Sequence, residues 1–191
     1  MSPDEIIGDI SNAVRILKDG GVILYPTDTV WGLGCDATNE AALCKLFDIK
    51  KRPDSKAMIS LVNSIEEVKR WVENVPKCAF DLYENASSPL TIIMNGAKGI
   101  SSKLLADDGS AAFRIPNGND YTMKLCRILN RPLVSTSANL SGLPTAKIYN
   151  DIDKEIKHAV DYVCKYGRDQ KAGIPSSIIK INKDGSVTKI R

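Results

Sequence analysis

Residues 25–37 read YPTDTVWGLGCDA, after the apolar run Val22–Leu24 and ahead of a helix-like segment from Asn39. The tail fits the dinucleotide pattern G-x-G-x-x-G/A through Gly32, Gly34 and Ala37. A pyrophosphate-binding turn sets its first glycine directly after the strand, so that the next helix points its N-terminus at the phosphates. Here six residues, PTDTVW, stand between Tyr25 and Gly32. Pro26 lacks an N–H and sits where the chain must leave the sheet. The acid that should hold a ribose belongs at the end of the second strand. Asp54 instead precedes the expected second strand, residues 57–62. Both requirements fail. The glycines read as backbone that turns closely beneath a site, and the informative residues lie upstream at Tyr25, Thr27 and Thr29.

Working outward, apolar and polar segments alternate for most of the 191 residues. Ser2, Pro3 and the acids behind them announce a first helix, with Ile6, Ile10, Val14 and Leu17 on one face and Gly20–Gly21 as its stop. Residues 22–25 form a buried strand. Asn39 caps a helix to about Ile49, which Pro53 prevents from continuing. Residues 57–62 read as a strand, and Ser64 with Glu67 as a capping box. A helix follows over 76–84, then strands at 90–94 and 111–115. Asn119 opens a helix to Leu129, ahead of a strand at 133–135. A short helix near 151–158 and a strand within 161–166 come next. SIIKI and SVTKI, around NKDG, read as a terminal hairpin. This is an α/β fold: one domain over residues 1–191, with a twisted mixed sheet and flanking helices.

Composition sets bounds. Apolar residues make up 43% and charged residues 26%, as in soluble globular chains, and the net charge of +3 suits phosphate ligands without demanding nucleic acid. The five cysteines are irregularly spaced with no C-x-x-C, so reduced thiols are expected. No apolar run approaches a membrane span and no leader is visible, which places the chain in the cytoplasm. The single histidine, His158, falls in a charged helical segment and reads as a surface residue.

Four further stretches can carry chemistry. Thr27, Asp28 and Thr29 leave a strand edge, where hydroxyls bind a small polar ligand or serve their own turn. KKRPDSK (residues 50–56) packs cations at a helix end, either as a phosphate clamp or as charges favoured at a helix C-terminus. VSTSANLSG (residues 134–142) is a hydroxyl-rich loop, fit to cradle oxygens or to cap a helix. Arg114 ends an otherwise apolar strand, where it pairs a protein or a ligand carboxylate.

Taken in order, YPTDTVWGLGCDA, KKRPDSKAM, PLTIIM, AAFRIPN, VSTSANLSG and GIPSSIIKI resemble the YrdC family, the threonylcarbamoyl-AMP synthases, over residues 22–191. The K-x-R-P piece, Lys50 to Pro53, resembles the synthase group rather than a related group of uncertain activity. The resemblance implies that L-threonine, bicarbonate or CO2, and ATP with Mg2+ give threonylcarbamoyl-AMP and pyrophosphate. Downstream threonylcarbamoyl-transferase proteins then modify tRNA. It implies nucleotide-binding, catalytic roles for Lys50 and Arg52. Thr27, Thr29 or both would contact threonine, and Arg114 would pair its carboxylate. Ser135, Ser137 and Asn139 match the loop holding threonine and nucleotide. Thr145 and Arg191 match nucleotide contacts, and Ser177 a residue near the substrate.

The chain departs from the family pattern in places. Lys56 stands where many relatives have histidine and keeps only a donor for threonine. SSPLT replaces PGPLT, and Ser177 replaces threonine. The ending at Arg191 resembles the short, single-domain form. A rival function is a double-stranded RNA- or tRNA-binding module without adenylating activity. The modest charge and the 6% aromatic content argue against RNA as the main ligand.

Overall fold

The computed structural model describes residues 1–51, 58–118 and 120–191. Helix α1 (Pro3–Lys18) carries a complete capping box: Glu5 N–H donates to Ser2 Oγ at 3.2 Å, and Ser2 N–H to Glu5 Oε2 at 2.6 Å. Strand β1 (Ile23–Tyr25) is fully buried. It folds back at once into β2 (Gly32–Gly34), antiparallel, with Tyr25 opposite Gly32 and Ile23 opposite Gly34. This strand corrects the expected turn: the glycines, read as backbone turning beneath a site, lie within a strand of the sheet.

Helix α2 (Glu40–Lys50) starts where Asn39 Oδ1 accepts from Ala42 N–H. Strand β3 (Ile59–Leu61) precedes α3 (Ile65–Trp71), α4 (Lys77–Glu84) and β4 (Leu90–Met94). At α3 only half the expected box forms. Ser64 Oγ accepts from Glu67 N–H, whereas the Glu67 carboxylate accepts from Asn63 N–H. Then come β5 (Ala111–Arg114), α5 (Asp120–Leu129), β6 (Leu133–Ser137), α6 (Lys154–Ala159) and β7 (Tyr162–Val163). The terminal hairpin is β8 (Ser177–Ile181) with β9 (Val187–Lys189).

The strands form one mixed sheet in the order β7-β1-β2-β6-β3-β5-β4-β8-β9. The pairs β1–β7, β3–β5 and β4–β8 are parallel, and the rest are antiparallel. Strand alternation divides the core. Ile23 and Tyr25 pack with Ile10, Val14 and Leu17 of α1 and Leu125 of α5. Val22 and Leu24 face the other way, towards Leu43 and Leu46 of α2 and Ile156 of α6. A third cluster seats α3 and α4 against Ile92, Met94 and Phe113.

His158 is exposed, and the five cysteines are free thiols. Among the described residues no helix is long and apolar enough to cross a membrane.

Candidate active site

The β1–β2 hairpin builds the floor of a cavity. Because Gly32 and Gly34 lack side chains, the Tyr25 ring packs closely against them. A Cβ on Gly34 would stand 2.7 Å from Tyr25 Cε1 and one on Gly32 3.3 Å from the same atom. Burial pushes the Tyr25 phenol far above its ordinary pKa, so it stays neutral. Over Gly32 opens a cavity of about 340 Å³, walled by Thr27, Thr29, Arg114, Ser135, Ser137 and Ser176, with Thr145 and Arg191 also on its lining.

The loop between the strands is held by its own hydroxyls. Thr27 Oγ1 donates to Val30 O at 2.6 Å and accepts from Thr29 and Val30 N–H. Turn chemistry therefore engages Thr27, whereas the Thr29 hydroxyl reaches Arg114 Nη1 at 3.2 Å. Arg114 is 3% exposed, and its Nη2 pairs Asp28 Oδ1 at 3.0 Å, a carboxylate 2% exposed. The other Asp28 oxygen accepts from Asn117 N–H at 3.1 Å. Of the two partners open for Arg114 in the sequence, the structure shows the protein carboxylate. Its Nε has no hydrogen-bond partner among the described residues.

Strand β6 runs into the serine-rich loop. Ser135 and Ser137, two residues apart, face the cavity together. The loop is pinned from behind by Lys50, only 2% exposed, whose Nζ donates to Ser137 O at 2.5 Å and Asn139 O at 3.0 Å. Asn139 turns its amide into the same loop, donating to Leu140 O and Leu143 O. Lys50 and Asn139 thus organise the loop and do not line the cavity. Arg52 and Lys56 lie outside the described residues.

Ser177 pairs backbone with β4 and is not on the wall. Its neighbour Ser176 is, with its hydroxyl 2.9 Å from Thr91 Oγ1. Two adjacent serines point to opposite faces of a strand, and no sequence signal says which faces in. Arg191 comes back across β8, its guanidinium donating to Ser176 O at 2.9 and 3.2 Å. Gly173 N–H donates to Thr29 O, closing the segment 167–175 over the Thr27–Thr29 loop. A Cβ on Gly173 would sit 3.0 Å from Asp28 O, so the approach needs glycine.

Chemically, the cavity is a set of hydroxyls with two guanidinium groups and no acid on its wall among the described residues. It is equipped to bind and orient oxygen-rich ligands. It presents no nucleophile–base pair of the Ser–His or Cys–His type among those residues. No group of three or more His, Cys, Asp or Glu gathers as a metal site among the described residues.

A family model described as telomere recombination, covering Sua5, YciO and YrdC proteins, matches residues 15–191. The threonylcarbamoyl-AMP synthase of Xanthomonas euvesicatoria is 35% identical over 158 residues, covering 81% of this chain and 84% of that protein. The synthase of Psychromonas ingrahamii is 34% identical over 152 residues, covering 78% and 79%. Among solved structures, P. abyssi Sua5 complexed with L-threonine superposes with a TM-score of 0.85 at 24% identity, over 95% of this chain and 53% of that one. E. coli YciO gives 0.81 at 28% identity, over 95% and 87%.

Proposed function

The chain belongs to the Sua5–YciO–YrdC family, and on that premise we propose that it is an L-threonylcarbamoyladenylate synthase. It joins L-threonine, bicarbonate or CO2 and ATP into threonylcarbamoyl-AMP, releases pyrophosphate, and serves tRNA modification. The observation that carries this reading is the convergence of Thr29, Arg114, Ser135, Ser137 and Ser176 on one cavity that contains binding groups but, among the described residues, no nucleophile–base pair. Curated relatives bear the same activity in their names, and P. abyssi Sua5, which shares the fold, forms a complex with L-threonine.

The chemistry needs only such a site. The threonine amine adds to CO2 and forms a carbamate. A carbamate oxygen attacks the α-phosphate, and pyrophosphate leaves. The protein's share is positioning and charge stabilisation. Arg114 donates a hydrogen bond to Thr29 and pairs Asp28 by charge, which leaves N–H donors for a threonine carboxylate. Ser135 and Ser176 offer hydroxyls beside it. Arg191, Ser137 and Thr145 face the nucleotide, with Arg52 supplying a further cation. Lys50 and Asn139 act by holding the serine loop in place. Mg2+ bound to the triphosphate would neutralise part of its charge, with the cavity hydroxyls of Ser137 and Thr145 as the oxygen donors on the protein side.

The test is pyrophosphate release from Mg-ATP by the purified protein. We expect release that requires both threonine and bicarbonate. Release independent of threonine overturns the substrate assignment, and no release at all alongside tight salt-sensitive tRNA binding overturns the reading in favour of an RNA-binding module.

A further inference from the structure

Two arginines, Arg114 and Arg191, are the charged side chains on the cavity wall among the described residues. They are not equivalent. Arg191 is exposed, and among the described residues its guanidinium bonds only a carbonyl, Ser176 O. Arg114 is sealed into the wall at 3% exposure with the Asp28 carboxylate directly behind it, 3.0 Å from Nη2 and itself 2% exposed. Asp28 does not line this cavity. It is fixed in place by Asn117 N–H on its second oxygen. One end of the cavity is therefore an ion pair seen from its cationic side, and the other is a cation with no carboxylate partner among the described residues.

That asymmetry has a chemical consequence. A bare guanidinium held away from water binds phosphate at least as well as it binds a carboxylate. A site that must hold threonine next to a triphosphate needs one arginine that polyanions do not occupy. We propose that Asp28 is the specificity-determining residue of the cavity. Its charge neutralises Arg114 from behind, so that this end accepts a single carboxylate and the polyphosphate is left to the Arg191 end. The substrate assignment rests on the synthase reading; the counter-ion role does not.

Asp28 touches no ligand in this arrangement, so it acts through Arg114, and the diagnostic result is a gain of binding. Inorganic phosphate is the probe, titrated at constant ionic strength against wild type and Asp28→Asn, followed by thermal stability and by competition with threonine. Phosphate should bind Asp28→Asn at least about tenfold more tightly than wild type, the scale of one charge-assisted hydrogen bond. It should also raise the melting temperature of the variant while leaving wild type nearly unmoved. A variant that is poorly folded in chloride and recovers in phosphate gives the same answer. Arg114→Gln in the Asp28→Asn background should abolish the gain. Equal phosphate affinity in wild type and variant, or a gain that survives loss of Arg114, overturns the inference. If the phosphate gain appears in a protein that shows no threonine-dependent pyrophosphate release, the counter-ion stands and only the synthase reading falls.

Discussion

The seating of Tyr25 on two glycines gives a prediction with opposite signs at two positions. Gly34→Ala adds one methyl. Its Cβ would lie 2.6 Å from Val134 O, 2.7 Å from Tyr25 Cε1 and 3.1 Å from Leu133 Cδ1. All three neighbours are fully buried, and the nearest is a backbone carbonyl of the adjoining strand. Either β2 separates from β6 or the Tyr25 ring leaves its seat. Overpacking of this kind costs about 1–3 kcal/mol, and a backbone obstacle places it at the upper end. The entropy returned on replacing glycine offsets about 0.5–1 kcal/mol of that. A net loss of about 2 kcal/mol lowers the melting temperature by about 4–8 °C for a chain of this size. Gly8→Ala is the control: it lies exposed within α1, and its Cβ meets nothing within 4 Å. There the same substitution should stabilise by about 0.5–1 kcal/mol, or about 1–4 °C. Urea denaturation and thermal scans of both variants, with unchanged m-values, measure the pair. A neutral or stabilised Gly34→Ala would refute the packing of Tyr25 across β2.

Three further outcomes follow from the same contacts. Arg114→Ala strands the Asp28 carboxylate at 2% exposure, which should cost about 3–5 kcal/mol in urea denaturation; Asp28→Asn added to it should recover much of that loss. Lys50→Met removes two charge-assisted bonds to the Ser137 and Asn139 carbonyls. It should cost about 1.5–3 kcal/mol and speed hydrogen exchange of the 138–143 amides before the β6 amides. Asp108 is held well below the usual carboxylate range by its hydrogen bonds from Lys180 and Ser110. A depressed carboxylate contributes stability above its unfolded pKa and loses it as pH falls through the folded value. Asp108→Asn should therefore cost less than about 1 kcal/mol at neutral pH, because the pair is partly exposed, and nothing in strong acid.

Much of the fold was legible because its signals are local. Ser2 with Glu5, Asn39 and Ser64 are helix starts that sequence chemistry dictates, and the unbroken apolar run 22–25 marks a buried strand. Strand β2 was not legible. Three residues, two of them glycine, carry no β-propensity of their own, and the strand exists because a tyrosine from its neighbour covers it. At the site, the hydroxyl-rich stretches do converge on one cavity. What the sequence could not give was direction. Whether Ser176 or Ser177 faces inward depends on the pairing of β8 with β4. Whether Lys50 points to ligand or loop depends on where α2 ends against β6. Asp28 and Arg114 are far apart in sequence, and only the crossing of the 27–29 loop over the end of β5 makes them a pair.

If the cavity over Gly32 holds threonine, backbone amide shifts during titration with L-threonine will report it. Perturbations should be confined to Thr29, Gly32, Ser135, Ser176 and the Arg114 side-chain Nε–H. Perturbations clustered instead at Asn117, Gly118, Gln170 and Lys171, around the separate cavity of about 480 Å³ on the far side of the Thr27–Asp28 loop, would contradict it.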